Sequence, residues 1–145
     1  MNIFLDTSSL FKLYHKEAGT EELEQLFINQ KIAKVFLAEI ARIEFSSVVW
    51  RKCRMKEIDF EQAKKLLSSF ENDKPKFRFI PDDSSVKDEA ASLITRHWNS
   101  GLRTLDSIQL ASAIAEKDNL DLFLTSDLVL KELVEKEGFS VKIPL

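Results

Sequence analysis

The sequence predicts an α/β fold in which helices cover both faces of a central parallel sheet, a three-layer α/β/α sandwich. Two short apolar runs, at residues 3–5 and 122–125, are continuous rather than alternating, which is typical of strands buried on both faces. The longer segments between them have the spacing and capping residues of helices. The composition, 44% hydrophobic with only three Gly and three Pro, is that of a helix-rich globular protein. Because there is no repeat, linker or low-complexity segment, we expect a single domain over residues 1–145.

The first half of the chain alternates between short apolar runs and helical segments. The run at 3–5 ends in the tetrapeptide DTSS, whose residue types cap helices. Thr20, followed by several glutamates, begins another helix. The predicted elements are a strand at 3–5, helices at 9–15 and 20–29, a strand at 35–37, helices at 38–56 and 59–71, and a strand at 77–80 that Pro81 ends.

The second half continues the same alternation. Asp82 or Ser84 can cap a helix, Gly101 interrupts the chain, and Gly138 ends the last helix. The predicted elements are a helix from 82 or 84 to 97, a helix from 104 or 106 to 117, a strand at 122–125, a helix at 127–138 and a strand at 141–143.

Composition limits the chemistry and the location. The 21 basic and 24 acidic residues give a net charge of −3, so any nucleic-acid binding must be local. Cys53 is the only cysteine, and no signal sequence or long apolar run is present, so we expect a cytoplasmic protein without a disulfide or a membrane segment. His15 and His97 are the only histidines, which disfavours zinc and histidine-base chemistry. We interpret these three residues as structural.

Four acidic residues stand in apolar surroundings, where an unpaired carboxylate is costly: Asp6, Glu44, Asp106 and Asp127. In parallel sheets, ligands bind beyond the carboxyl ends of the strands. Asp6 and Asp127 both follow predicted strands, and Asp106 begins a helix that can reach the same edge. If the two strands are neighbours, these acids should lie close together.

Each acid also has a structural explanation. An aspartate in the first helical turn stabilises a helix by about 0.5–2 kcal/mol through capping or the helix dipole, which accounts for Asp106 and Asp127 taken singly. Glu44 lies on a small, apolar face of its helix, but an ion pair with Arg42 or Arg51 could hold it. The indication of a site therefore comes from the whole set of acids.

A convergent set of carboxylates needs protons or a cation. Two carboxylates about 4 Å apart repel by roughly 4 kcal/mol at an effective dielectric constant near 20. Oxygen ligands suit Mg²⁺ or Mn²⁺, and a hydroxyl of Ser8 or Ser126 could assist. Such ions support in-line hydrolysis of phosphodiesters without any histidine. The residues thus favour a metal-dependent hydrolase.

Four segments together resemble a PIN-domain ribonuclease, specifically the VapC-type toxin of toxin–antitoxin pairs: LDTSSLFKLYHKE, ARIEFSSVVWRKCR, LRTLDSIQLASA and LFLTSD. The resemblance covers nearly the whole chain, with the segments in the family's order and spacing. It implies a parallel α/β/α sandwich in which Asp6, Glu44, Asp106 and Asp127 bind Mg²⁺ or Mn²⁺. It also implies a supporting role for Ser8, Thr125 and Ser126.

The same resemblance implies partners and a substrate. These are an RNA substrate, often tRNA or rRNA, a VapB-type antitoxin whose C-terminal segment covers the active site, and a homodimer. The chain departs from the family in its acidic net charge, and in Leu130, which stands where some relatives carry another acid. The presence of a second metal site therefore stays open.

Local cations are the expected contacts for RNA: Lys12, Arg42, Arg51, Lys52, Arg54, Lys56 and Arg103. Basic residues near a helix C-terminus are also favoured by the helix dipole, so Arg54 and Lys56 have a purely structural explanation. Trp50, Trp98 and most phenylalanines are expected in the core or in an interface rather than stacked on bases.

Three alternatives to a nuclease remain. The first is an inactive PIN-like module that binds RNA or protein. The second is a haloacid-dehalogenase-like phosphatase, but that class needs a second acid two residues after Asp6, where this chain has Ser8. The third is a phospho-acceptor signalling domain, for which Lys142 would supply the required lysine, but which leaves Glu44 unexplained.

Overall fold

A five-stranded parallel sheet forms the centre of the computed structural model, which describes residues 1–142. The strand order is β3-β2-β1-β4-β5, and all neighbours are parallel. The strands are β1 (Asn2–Leu5), β2 (Lys34–Ala38), β3 (Arg78–Ile80), β4 (Leu122–Leu124) and β5 (Val141–Lys142). The predicted parallel α/β fold is confirmed; Ile143, the end of the last predicted strand, lies outside the described residues.

Seven α-helices connect these strands: α1 (Thr7–Lys12), α2 (Thr20–Asn29), α3 (Ala41–Arg54), α4 (Phe60–Asp73), α5 (Ser84–Arg96), α6 (Thr104–Ala115) and α7 (Leu128–Lys136). Short polar side chains start several of them, as the sequence indicated. Asp59 forms a capping box with Gln62, and the cap of α5 is Asp83, between the two predicted candidates. None of the helices built from the described residues combines the length and apolar character needed to cross a bilayer.

The prediction that a helix begins at Ala38 was wrong. Ala38 is the last residue of β2, where it pairs with Ile80, and α3 begins three residues later. Phe36 and Ala38 face one core while Leu37 faces the other, so both faces of the strand are buried. The sheet therefore overrides the high helix propensity of alanine.

The strands separate two hydrophobic cores. Ile3, Leu5, Leu37 and Leu124 pack with residues of α1 to α4 on one face. The other face carries Phe4, Phe36 and Phe123, which pack with residues of α5 to α7. The predicted three-layer arrangement is confirmed.

The direction of the chain across the sheet reverses beside β1. The chain passes from β1 to β2 and β3 on one side, and then returns to β4 on the other side of β1. Leu5 pairs with Leu124 at the ends of β1 and β4, and the Asp6 N–H donates to the Leu124 carbonyl. Such a reversal opens a crevice beyond the strand ends, where α/β proteins bind their ligands.

Phe45, in α3 next to Glu44, provides a test of the packing that holds this helix. It is fully buried, and its ring centroid lies 4.3 Å from that of Phe70 and 5.2 Å from that of Tyr14. Phe45→Ala is expected to lower the free energy of unfolding by about 3–5 kcal/mol because it leaves a cavity. Urea denaturation measures this. Ile43→Ala, an exposed change in the same helix, should shift stability by less than about 0.5 kcal/mol, and equal effects of both changes would contradict the packing described.

Candidate active site

A cavity of about 490 Å³ lies at the carboxyl ends of β1 and β4, and all four predicted acids line it. They come from four different places in the chain: the end of β1, the first turns of α3 and α6, and the residue before α7. The structure therefore brings Asp6, Glu44, Asp106 and Asp127 to one cavity. Their role in metal binding stays a prediction.

Asp6 ends β1 and caps α1. Its Oδ1 atom accepts hydrogen bonds from the Ser9 N–H at 2.9 Å and from the Ser8 hydroxyl at 2.7 Å, and its Oδ2 accepts from the Thr125 hydroxyl at 2.6 Å. Only 5% of the residue is exposed. Burial raises the pKa of the Asp6 carboxyl, and these hydrogen bonds offset the effect only in part. Since a carboxylate has about four acceptor positions, Oδ2 keeps one for a further ligand.

Thr125 links the ends of the two central strands. Its hydroxyl donates to Asp6 and accepts from the Asp127 N–H at 3.0 Å. Nearby, the Ser126 N–H donates to the Ser8 hydroxyl at 3.3 Å, while the Ser126 hydroxyl is buried without a partner among the described residues. The three supporting residues predicted from the sequence thus surround Asp6 and fix the start of α7.

Asp127 has a structural role in addition to its position in the cavity. Its Oδ1 accepts from the Leu130 N–H at 2.9 Å and caps α7, as the structural explanation of this residue predicted. Oδ2 has no hydrogen bond from the described residues. Leu130 itself is buried in the core, so its position contributes no acid to the cavity.

Asp106 lies half-buried in the first turn of α6, but it does not cap the helix. The capping position is Arg103, and the Asp106 carboxylate accepts no hydrogen bond from the described residues. Burial raises the pKa of Asp106, repulsion by Asp127 and then by Asp6 adds to the effect, and Arg103 offsets part of it. The Asp106 carboxylate is therefore close enough to Asp127 and to Asp6 to be repelled by both.

Glu44 is held by hydrogen bonds rather than by an arginine. Its Oε1 accepts from the Thr7 hydroxyl at 2.9 Å and from the Gln109 amide at 2.7 Å. Arg42, one candidate for an ion pair, instead binds Glu39, and Arg51 forms no ion pair with Glu44. The ion-pair explanation of Glu44 is therefore wrong.

Thr7 and Gln109 are site residues that the sequence did not reveal. Both are buried, and both line the cavity. Gln109 had a readable signal, because it lies three residues after Asp106 and so on the same face of the helix. It is also a long polar side chain within the otherwise small and apolar segment SIQLASA.

The fold and this cavity can be compared with known families. The PIN domain family matches residues 3–136, which is most of the chain. The chain belongs to the PIN domain family. The resemblance of the four sequence segments to that family is confirmed.

Solved structures give the same fold. A VapC20 toxin of Mycobacterium tuberculosis that cleaves the sarcin–ricin loop has 17% identity, and the match covers 94% of this chain and 95% of that one with a TM-score of 0.69. FitAcB from Neisseria gonorrhoeae has 15% identity, coverages of 98% and 97%, and a TM-score of 0.70. VapBC2 from Rickettsia felis, bound to a DNA fragment from its promoter, has 19% identity, coverages of 99% and 98%, and a TM-score of 0.64. No curated protein sequence gives a significant match.

The donor atoms of this PIN domain suit a hard divalent cation. The four acids supply oxygen ligands, and no histidine or cysteine lines the cavity. As they stand, no three His, Cys, Asp or Glu side chains in the described part of the chain form a set that could hold a metal ion. Mg²⁺ usually keeps several waters and uses only one or two carboxylates together with substrate oxygens. The oxygen donors that line this cavity therefore suit Mg²⁺ or Mn²⁺ better than zinc, which prefers histidine and cysteine ligands.

Two predicted RNA-contact residues, Arg51 and Lys52, line the cavity of this PIN domain. The Lys52 ammonium lies 3.0 Å from Glu57 and 3.5 Å from Glu17, which neutralise its charge. Arg51 is exposed and has no ion pair with any described residue. Of the two cations, Arg51 is therefore the one whose charge is free to attract a phosphate.

The interpretation of Lys12 as an RNA contact is not supported. Only 8% of Lys12 is exposed, and its ammonium donates to Glu17 at 3.0 Å and to the Ala18 carbonyl at 2.7 Å. These bonds hold the segment between α1 and α2. A buried, paired lysine would lose them on turning towards a phosphate.

The other predicted cations lie outside the cavity lining. Arg42 packs over the Phe79 ring, with 3.8 Å between the guanidinium carbon and the ring centroid. Arg54 and Lys56 are exposed at and beyond the end of α3, and Arg103 is exposed beside Asp106. RNA contact by these four residues stays a prediction.

The residues interpreted as structural are not among those that line the cavity. His97 bonds Glu137 at 2.8 Å and so ties α5 to the end of α7, while the His15 ring packs against Phe11. Cys53 is a half-buried free thiol. Trp98 is 79% exposed, so the core placement considered for it is wrong, and a place in an interface or stacked on bases stays a prediction.

Without metal, burial of Asp6 and Asp106, together with repulsion of Asp106 by its neighbouring carboxylates, should make stability depend on pH. The pKa values of Asp6 and Asp106 are raised in the fold above the ordinary value of 3.8, so the unfolded chain loses these protons first as the pH rises. Stability from these groups is therefore full below pH 3.8 and falls as the pH rises towards their folded pKa values. Asp106→Asn should thus become increasingly stable relative to the wild type over this range.

Urea denaturation in EDTA at a series of pH values measures that difference. Asp88→Asn, an exposed change in α5 outside the cavity, is the matched control. A stability difference between Asp106→Asn and the wild type that stays constant or shrinks as the pH rises would show that the pKa of Asp106 is not raised in the fold.

Proposed function

We propose that this PIN domain is a metal-dependent endoribonuclease and the toxin of a VapBC-type toxin–antitoxin module. It hydrolyses phosphodiester bonds of RNA, with tRNA or rRNA as the substrate class. The observation that carries the proposal is the convergence of four acids from four elements on one cavity, next to an arginine that forms no ion pair within residues 1–142. Family membership and the oxygen-only donor set support it.

Asp6, Glu44, Asp106 and Asp127 are the residues that would hold Mg²⁺ or Mn²⁺. When bound, such an ion lowers the pKa of a water molecule and stabilises the charge that develops on the phosphate. Asp6 is oriented by three hydrogen bonds, so its remaining acceptor position is fixed before any ligand arrives. Burial raises the pKa values of Asp6 and Asp106, and a bound cation would lower them again by stabilising the ionised carboxylates.

Arg51 would bind a phosphate of the RNA. It lines the same cavity as the acids and is not neutralised by an ion pair with the described residues. A guanidinium can donate two parallel hydrogen bonds to a phosphate. The substrate backbone would thus lie between this cation and the carboxylates.

An antitoxin partner is supported by the similar structures and by the rim of the cavity. The Rickettsia felis structure is a VapBC complex on promoter DNA. In this chain, Ile43 and Leu105 line the cavity and are 74% and 50% exposed, so a partner segment covering the site would find apolar contacts. We propose a VapB-type antitoxin as that partner, a homodimeric toxin, and a cytoplasmic location with the RNA.

Loss of either central acid should abolish cleavage. Asp6→Asn and Asp106→Asn are each expected to reduce the cleavage rate by more than about 100-fold, because each removes a charge that holds the ion. The measurement is fragmentation of total bacterial RNA with Mg²⁺ or Mn²⁺ and with EDTA, followed by sequencing of the fragment ends. Asp88→Asn should cleave like the wild type.

Cleavage retained by both variants would refute the proposed site. Absence of cleavage by a folded, metal-binding wild type on total RNA and on purified tRNA and rRNA would instead favour an inactive binding module.

Arg51→Ala should weaken RNA binding and its dependence on salt. In an Asp6→Asn background, which prevents cleavage, the slope of log affinity against log salt concentration should fall by about 0.7–1, because one phosphate contact is lost. Fluorescence anisotropy at several salt concentrations measures this. Lys65→Ala, an exposed change in α4 outside the cavity lining, is the control, and an equal effect of both changes would place the RNA elsewhere.

A further inference from the structure

Three buried or half-buried side chains from three helices form a closed triangle of hydrogen bonds. The Thr7 hydroxyl of α1 donates to Glu44 Oε1 of α3 at 2.9 Å. The Gln109 amide nitrogen of α6 donates to the same oxygen at 2.7 Å and to the Thr7 hydroxyl at 3.0 Å. Helices from both layers of the sandwich thus meet at one carboxylate oxygen.

The triangle makes the two oxygens of Glu44 different. Oε1 accepts two hydrogen bonds, which fill its acceptor positions. Oε2 accepts none from the described residues. Only Oε2 is therefore left for a ligand in the cavity that Glu44 lines.

The orientation of the Gln109 amide is set by Glu44. The side-chain carbonyl oxygen of Gln109 is buried without a partner among the described residues, which is unfavourable for the fold. Turning the amide over would place that carbonyl against the Glu44 carboxylate, where two acceptors repel. An apolar side chain of similar shape would fill the same space without this cost, so packing alone does not account for a glutamine here.

We propose that Gln109 is a positioning residue for Glu44: its amide, together with the Thr7 hydroxyl, occupies Oε1 and holds Oε2 in the cavity as the oxygen available to a divalent cation. The inference rests on the proposed metal-dependent function. Replacing a residue that hydrogen-bonds a metal ligand, without itself contacting the metal, typically changes metal affinity by about 10- to 100-fold.

The test uses Gln109→Met, which keeps the length of the side chain and removes its donor. Isothermal titration of the metal-free full chain with Mn²⁺ should show an affinity about 10- to 100-fold weaker than that of the wild type. The thermal midpoint in EDTA checks that the variant is folded, because loss of the two hydrogen bonds from Gln109 and removal of its unpartnered carbonyl have opposite effects on stability. Ser112→Ala, which removes a buried hydroxyl from the same helix outside the cavity lining, should leave the Mn²⁺ affinity unchanged.

A double-mutant cycle separates positioning from a general effect on the site. In a Glu44→Gln background, Gln109→Met should change Mn²⁺ affinity little, because Gln109 acts through the carboxylate. Wild-type affinity in Gln109→Met alone, or an unchanged loss in the Glu44→Gln background, would overturn the proposal.

A crystal structure of metal-free Gln109→Met gives a readout that does not depend on metal binding. The Glu44 carboxylate should leave its present position or adopt several rotamers, and an unmoved carboxylate would overturn the role of Gln109. If the wild type itself binds no Mn²⁺, the proposed function fails, and this crystal structure still decides whether Gln109 positions Glu44.

Discussion

The hydrogen bond from Thr125 to Asp6 joins the ends of the two central strands at the point where strand order reverses. Asp6 also caps α1, and the Thr125 hydroxyl accepts from the N–H of Asp127, the cap of α7. The starts of two helices on opposite faces of the sheet are therefore linked through one 2.6 Å contact between side chains. Removing the Thr125 hydroxyl would leave Asp6 Oδ2 and the Asp127 N–H without this partner, one at the start of each helix.

Burial and hydrogen bonding act in opposite directions on Asp6. Hydrogen bonds to a charged group contribute about 1.5–3 kcal/mol each, and Asp6 accepts three. Moving the Asp6 carboxylate out of water costs more than these hydrogen bonds contribute, because the pKa of Asp6 is raised overall. For Asp106, repulsion by neighbouring carboxylates adds to burial. Ionising these carboxyls in the metal-free fold therefore costs free energy. A cation that neutralised their charge would recover that free energy on binding.

The sequence predicted most strands and helix starts, which depend on neighbouring residues. It did not predict which side chains are buried or paired in the folded chain. Continuous apolar runs predicted the four longer strands within two residues, and short polar residues predicted most helix starts. Ala38 was placed in a helix because its burial on both faces of β2 depends on Ile80, more than 40 residues away. Lys12 looked like an exposed cation because nothing near it indicates burial against Glu17. The convergence of Asp6, Asp106 and Asp127 followed from topology, once β1 and β4 were taken as neighbours, whereas the place of Glu44 among them was implied only by the family resemblance.

The two helical layers of the sandwich contact each other at the candidate site, beyond the end of the sheet that separates them. Helices α1 and α3 pack on one face of the sheet and α6 on the other, yet Thr7, Glu44 and Gln109 bond across the edge beyond the strands. The distances among the acids are therefore set by how the two layers sit relative to each other. Glycine-rich loops are unnecessary for such a site, because each acid is carried by a helix start or a strand end. A change in either core that shifts α3 or α6 should reach the carboxylates directly, which couples packing to the chemistry of the cavity.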